Sequence, residues 1–490
     1  MASTLSNASG LSRNADEKGQ GSKRQILLNA FDFFGPGMLS PGQWKNPADR
    51  GLEKFDISFW VEYAKLLERG GFFSLFLADT LGGYETYGGS IDETIRRATQ
   101  YPALDPSIPI SAMAAATSKL SFAITSSTSH ETPFLLARRF STLDHITKGR
   151  FGWNIVTGWK KSAFQAIGLD DAIDHDLRYE RADEYLRLLY KLWEGSWADD
   201  AVVADGPNDT YADPSRVRTI KHEGPFYKLN SKHIVPPSPQ RTPFLFQAGT
   251  SEAGINFASN HAEAAFVGGT TPAQTGPKVA QLRAALAAKG RDPRRFKVFI
   301  SFCPIIGKTD EEARQKLAEY KKYASVIGGL VQVSGVTGID LSKVPLDREL
   351  SAADAGESRI RTHLDSFVNT TDGETWTARR VAEFASIGGL APFAVGSPQT
   401  VADEFERWID EADIDGFNIV SVVTPQSFED VVDLLVPELR RRGLYPDISN
   451  GENSEHLTAR EQVFGGGHKS LAAEHVGSKY KYDVYQEDQL

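Results

Sequence analysis

Apolar runs and mixed-polarity stretches alternate along this chain. Eight short runs are apolar at nearly every position, which predicts strands buried on both faces. They are Gln25–Asp32, Phe72–Asp79, Leu120–Thr128, Arg150–Gly158, Phe244–Gly249, Ala264–Gly269, Phe296–Ile306 and Gly416–Val423. Segments of helical period separate them. In Phe55–Gly71, Trp60, Tyr63, Ala64 and Leu67 fall at i, i+3, i+4 and i+7, which is one helix face. Further helices are predicted at Pro106–Ser118, Glu131–Gly149, Arg181–Trp197, Ser251–His261, Lys278–Lys289, Glu311–Tyr323, Pro398–Glu411 and Phe428–Arg442. Pro437 predicts a kink in the last of these. A doubly wound sheet would share this alternation. Eight units in one uninterrupted series favour an α/β fold of the (β/α)8 TIM-barrel type.

The excess over about 250 residues falls into three insertions, about 82–107, 198–242 and 326–396. These predict lids and walls at the C-terminal face of the strands. One barrel domain is expected over 25–445. Residues 1–24 are polar and small and read as a disordered tail, and 446–490 form a polar, Gly-rich extension.

Composition narrows the chemistry. A net charge of −10 argues against nucleic acid or an anionic membrane as partner and leaves small molecules. Cys303 is the sole cysteine, which excludes intrachain disulfides and a cysteine metal cluster. It reads as buried filler. No apolar run approaches the roughly 20 residues of a membrane span, so a soluble, cytoplasmic protein is expected.

In such a barrel the site lies at the C-terminal strand ends. Here these carry Asp32–Phe33–Phe34, Asp79–Thr80, Thr128–Ser129–His130, Thr157–Gly158–Trp159 and Gln247–Ala248–Gly249. They are small, hydroxylic or aromatic, without a His-x-His, HExxH or GxSxG pattern. No metal site and no activated nucleophile is predicted. Small strand ends suit a bulky planar cofactor that supplies the chemistry. In FLFQAGTSEAG (244–254), Gly249 permits close backbone approach, and Thr250–Ser251–Glu252 opens a helix whose N-terminus favours an anion. The same residues read also, and more simply, as a plain N-cap.

Longer motifs carry a resemblance. FLAD (76–79), DPSIPISAMAAATSKLSFAITSST, ARRFSTLDHITKGRFGWNIVT, HDLRYERADEYLRLLYKLWEGSW, SPQRTPFLFQAGTSEAG and IDGFNIV together resemble the bacterial luciferase-like flavin monooxygenases. The nearest branch holds the nitrilotriacetate, dibenzothiophene sulfone and long-chain alkane monooxygenases. The likeness runs from about Ile26 to Tyr445. It implies a barrel using free reduced FMN from a separate NAD(P)H:flavin reductase. One oxygen atom of O2 then reaches a small organic substrate through a flavin C4a-(hydro)peroxide. It also implies a homodimer or tetramer, with early barrel helices in the contact. The alternatives are a deazaflavin- or flavin-dependent oxidoreductase without oxygenation and a catalytically idle flavin-binding protein.

Residue by residue, the resemblance places Asp79 near the flavin and Asn154, Thr157 and Gly158 beside its ring. It places Tyr179, Ala248, Gly249 and Ser251 at its phosphate. Family members carry His or Cys in the strand-1 loop and His after strand 4. This chain has Gly35 and Met38 in that loop, and Trp159 after strand 4. That departure predicts an apolar substrate pocket lined by Phe33, Phe34, Met38, Trp44, Tyr84 and Trp159, each of which reads also as simple packing. His130 is the remaining catalytic candidate, as a hydrogen-bond donor to the oxygenating group; its alternative is a residue opening a helix and bonded to backbone. Asp79 could hold a loop instead of the ring. Lys160–Ser162 and Arg440–Arg442 read as solvated faces. Arg138 and Arg139 read as solvated or as paired across a dimer contact.

Overall fold

The computed structural model describes residues 24–249, 251–350, 376–446 and 457–485. The predicted tail (all but Arg24), Thr250, part of the third insertion and part of the C-terminal extension lie outside them.

All eight expected strands form. They are β1 (Leu27–Phe33), β2 (Ser74–Ala78), β3 (Ser121–Ser127), β4 (Phe151–Val156), β5 (Phe244–Ala248), β6 (Ala264–Val267), β7 (Lys297–Ile306) and β8 (Gly416–Val420). Each pairs in parallel with its neighbours, and β8 returns to β1 with Leu27 opposite Gly416. The sheet is a closed (β/α)8 barrel.

Inward positions alternate along each strand. Leu27, Phe31, Phe76, Phe244, Phe246, Phe266 and Phe299 share one interior cluster. Phe76 meets Phe266 edge-on with ring centroids 4.6 Å apart, and Phe246 stacks on Phe266 at 5.7 Å. Phenylalanine rings therefore fill the barrel. Gly152 makes room for them, since a Cβ there would come 2.9 Å from the Phe246 ring. Each buried ring contributes about 1.5–3 kcal/mol.

Helices cover the outside. They include α1 (Ile57–Gly70), α2 (Pro133–Ile146), α3 (His175–Gly195), α4 (Glu252–His261), α5 (Pro272–Ala288), α6 (Asp310–Tyr323) and α7 (Pro398–Ala412). Caps explain where several begin. Asp174 accepts from the Asp176 and Leu177 amides, so α3 starts two turns before the expected Arg181. Thr271 caps α5 with Pro272 at its first position, so that helix also starts early and runs through Pro277. The segment expected as Pro106–Ser118 is helical only over Ile110–Ala115. Asp105 there accepts from the Ser107 amide and hydroxyl, which holds a turn where the first helical turn would lie. The last helix widens to a π turn over Val431–Leu435 before Pro437 and then resumes. Arg440–Arg442 is not a solvated face throughout: Arg442 is nearly buried and pairs with Glu438, Asp403 and Glu406.

The insertions hold structure of their own. Residues 198–242 fold into two short hairpins, Val202–Asp205 with Thr210–Ala212 and Ile220–Glu223 with Lys228–Ser231. The helix Val326–Thr337 packs on Ala378–Ala385, and Phe393–Gly396 adds a strand to the far half of β7. Residues 457–464 cover the N-terminal end of the barrel, and 475–480 pack on α3 and α4. Thr458 and Glu461 form a capping box, Phe464 lies against Phe244 at 6.0 Å, and Arg460 is buried on Glu263 at 2.7 Å.

Candidate active site

The C-terminal rim of β2–β5 collects most of the expected site residues. Asn154 lies on the inward face of β4, in register with Phe246. Its amide nitrogen donates to Thr125 Oγ1 at 2.9 Å, while its Oδ1 is buried without a hydrogen-bond partner. Past the strand, Thr157 gives its carbonyl to Ser129 Oγ at 2.8 Å. Gly158 then turns the chain at φ +67°, and a Cβ there would stand 2.9 Å from His130 Nε2 and 3.0 Å from Ser127 Oγ. His130 Nε2 is likewise buried and unpartnered. The His130 ring lies edge-on to Phe164 at 5.3 Å, and burial holds its pKa below the ordinary value.

A second group lies at the end of the adjacent strand. Ser251 caps α4, its Oγ accepting from the Gly254 amide at 3.1 Å. The Tyr179 hydroxyl reaches Ser251, while burial raises its pKa against that bond. A Cβ on Gly249 would come 3.0 Å from Tyr179 Oη, so only glycine lets hydroxyl and backbone converge. Ala248 is exposed beside them. Hydroxyls, a glycine and a helix N-terminus therefore converge at this strand end.

Asp79 ends β2 and accepts from the Thr80 amide at 2.8 Å. Its carboxyl is raised to about 6, first by burial and then by Asp105, against the pull of the Thr80 amide, Arg139 and Lys160. Lys160 answers from the β4 loop, its ammonium brought down to about 8 by burial and held up by Asp79. Lys160 is thus no solvated cation: its Nζ donates to the Gly82 carbonyl at 3.1 Å and sits 4.0 Å from the centre of the Tyr84 ring. Arg139 is likewise engaged within the chain, on Glu131 at 2.5 Å, while Arg138 is exposed.

The aromatic wall is only partly as expected. Tyr84 is buried, donates to Gln100 Oε1 at 3.0 Å, and lies 6.3 Å from Trp159. Trp159 is half exposed at the rim. Phe33 shares the inward parity of Phe31, and Met38 is buried in the following loop. Phe34 is a correction: it faces outward and meets Trp60 of α1 edge-on at 5.1 Å, because a residue one step from Phe33 takes the opposite face. Trp44 is also a correction: it is exposed on a turn whose Gln43 is fixed to the Tyr320 carbonyl of α6. Sequence reasoning missed Lys160, Thr125 and Ser127. The polar switch from Ala123 to Thr125 and Ser127 on one face of β3 was the available signal; for Lys160 there was none.

Among the described residues, no group of three His, Cys, Asp or Glu side chains is placed to hold a metal ion, and no helix is long and apolar enough to cross a membrane.

A closed parallel barrel whose C-terminal rim gathers hydroxyls, a glycine and buried unpaired polar atoms has the layout of a barrel enzyme. Residues 37–414 match the model of the luciferase-like monooxygenases. The chain is 42% identical over 463 residues to the dimethyl-sulfide monooxygenase of Hyphomicrobium sulfonivorans, covering 94% of this chain and 95% of that one. It is 41% identical over 459 residues to the long-chain alkane monooxygenase of Geobacillus thermodenitrificans, covering 94% and 98%. A riboflavin lyase solved with modified FMN and its substrate riboflavin superposes with a TM-score of 0.82, at 32% identity over 93% of this chain and 99% of that one. The chain belongs to the luciferase-like monooxygenase family.

Proposed function

We propose that this monooxygenase is the oxygenating component of a two-component system. It takes reduced FMN from a separate NAD(P)H:flavin reductase and transfers one oxygen atom of O2 to a small organic substrate. The observation that carries this reading is the pair of buried, unpaired atoms at the C-terminal rim, Asn154 Oδ1 on β4 and His130 Nε2 just past β3. A buried polar atom without a partner is costly unless a ligand completes it. A flavin ring edge fits that need, and the Tyr179–Gly249–Ser251 cradle on the adjacent strand end suits its phosphate. Bound there, reduced FMN supplies the electrons that activate dioxygen.

The chain's own residues then act around it. Asn154 and Thr157 would orient the ring, Asp79 would stand near it, and Gly158 lets the β4 loop close on His130. Burial keeps His130 neutral, so it can hold or give a proton at Nε2 near the reacting oxygen. Phe33, Met38, Tyr84 and Trp159 exclude water, which protects the activated oxygen from loss as hydrogen peroxide. This apolar wall, and the sulfide and alkane named for the relatives, support a small apolar or heterocyclic substrate. A homodimer or tetramer is proposed with it, supported by the exposed Leu135 and Ile146 of α2; sizing of the purified protein tests that. The function is tested with purified protein, a generic flavin reductase, NADH, FMN and 18O2 against a panel of sulfides, alkanes and heterocycles. Incorporation of one 18O atom into a product is the expected result. Turnover with a reduced deazaflavin and no oxygen, or peroxide as the sole product from every substrate, would overturn the reading.

A further inference from the structure

Strand β3 lies between β2 and β4, yet the loops after β2 and β4 touch each other over its end. Three contacts make the joint. Lys160 Nζ donates to the Gly82 carbonyl at 3.1 Å, and Ser162 Oγ donates to the next carbonyl, Gly83, at 3.3 Å. The Lys160 ammonium also lies over the face of Tyr84, which is pressed from behind by helix Val326–Thr337. A Cβ on Gly335 of that helix would fall 2.0 Å from Tyr84 Cδ1. Gly82 allows the close approach, since its own Cβ would strike Ser162 Oγ at 2.3 Å. His130, three residues beyond the end of β3, lies against Gly158 and Phe164, the residues that flank Lys160 and Ser162 in the β4 loop.

We propose that Lys160 is a positioning residue: its ammonium fastens the β2 loop to the β4 loop, and this joint roofs His130 against water. An ammonium suits the task because one group both donates to a carbonyl and binds an aromatic face. Asp79 is the charge that faces it, too far for a direct ion pair and near enough to keep it protonated. The inference rests on the reading of His130 as a site residue, and it adds the element that shields that residue.

The test uses flavin-free protein, so its outcome is independent of whether the enzyme uses FMN. Wild type, Lys160→Met, Lys160→Arg and Tyr84→Leu are treated with diethylpyrocarbonate at pH 7, and the modified histidines are mapped by peptide mass. In Lys160→Met the His130 rate should rise by about tenfold, the factor from losing one hydrogen bond and one cation–π contact. Lys160→Arg, which keeps a cation and a donor, should stay within about threefold of wild type. Burial alone lowers the His130 pKa, and opening the site raises that pKa and so slows the reaction; a rise therefore reports access, not charge. The rate at the half-exposed His175 should not change, which separates local opening from general unfolding. Tyr84→Leu retains the ammonium but removes its platform, and it should show a rise of the same sign. An unchanged His130 rate in both Lys160→Met and Tyr84→Leu, or an equal rise at His175, overturns the proposal.

Discussion

Replacing Gly158 by alanine probes the geometry of the site at one atom. Two costs follow from the structure. At φ +67° an L-residue occupies the left-handed region, which costs about 1–2 kcal/mol. The new methyl would also stand 2.9 Å from His130 Nε2 and 3.0 Å from Ser127 Oγ, and relieving such overpacking costs about 1–3 kcal/mol. The expected loss is therefore about 2–5 kcal/mol of stability, read by urea unfolding of the flavin-free protein. The two parts separate in a double-mutant cycle. In a His130→Ala background the ring is gone and the Ser127 hydroxyl can rotate away. Only the backbone part of about 1–2 kcal/mol should then remain. FMN affinity, followed by quenching of flavin fluorescence, should fall about tenfold or more, since the methyl pushes His130 out of the place beside the proposed ring site. The reasoning is refuted if Gly158→Ala costs the same in both backgrounds, or if FMN binds the variant as tightly as wild type.

Other consequences are as direct. Tyr179→Phe and Ser251→Ala should each weaken FMN by about tenfold and leave riboflavin, which lacks the phosphate, unchanged; isothermal titration with both flavins checks this. Asp79 has its folded pKa raised to about 6. The protonated form's advantage is therefore present below the unfolded value near 4 and is lost as pH rises through about 6. Asp79→Asn should accordingly raise the melting temperature at pH 7.5 and leave it nearly unchanged below about pH 4. Arg460→Met leaves Glu263 buried without its cation and strips the tail of its bonds to the Thr242 and Pro243 carbonyls. That variant should lose about 3–5 kcal/mol, seen as a lower urea midpoint.

The barrel was legible because its signal is local and repeated. Strands buried on both faces must be apolar throughout, and helices between them must show one apolar stripe; both patterns lie in the linear chain. Ends were less legible where a cap or a turn decided them, as Asp174 did for α3 and Asp105 for the short helix Ile110–Ala115. The hairpins in 198–242 are too short and exposed to leave a periodic trace.

The sequence by itself determined the parallel barrel, its eight strands and the small, hydroxyl-bearing strand ends. The long motifs added the family and named Asn154, Gly158, Tyr179, Gly249 and Ser251 before any geometry was known. Tertiary structure decided what each of them faces. It alone brought Gly158 against His130, joined residues 29 apart in Asn154 and Thr125, and turned Phe34 into the helix layer while Phe33 kept the inward face. It also moved Lys160 from an apparent surface charge into a joint with Gly82, 78 residues away. The physical reason is the same in every case. Periodicity records which side of an element is buried, whereas a hydrogen bond, a cation–π contact or an unpaired atom depends on what a distant segment places against it.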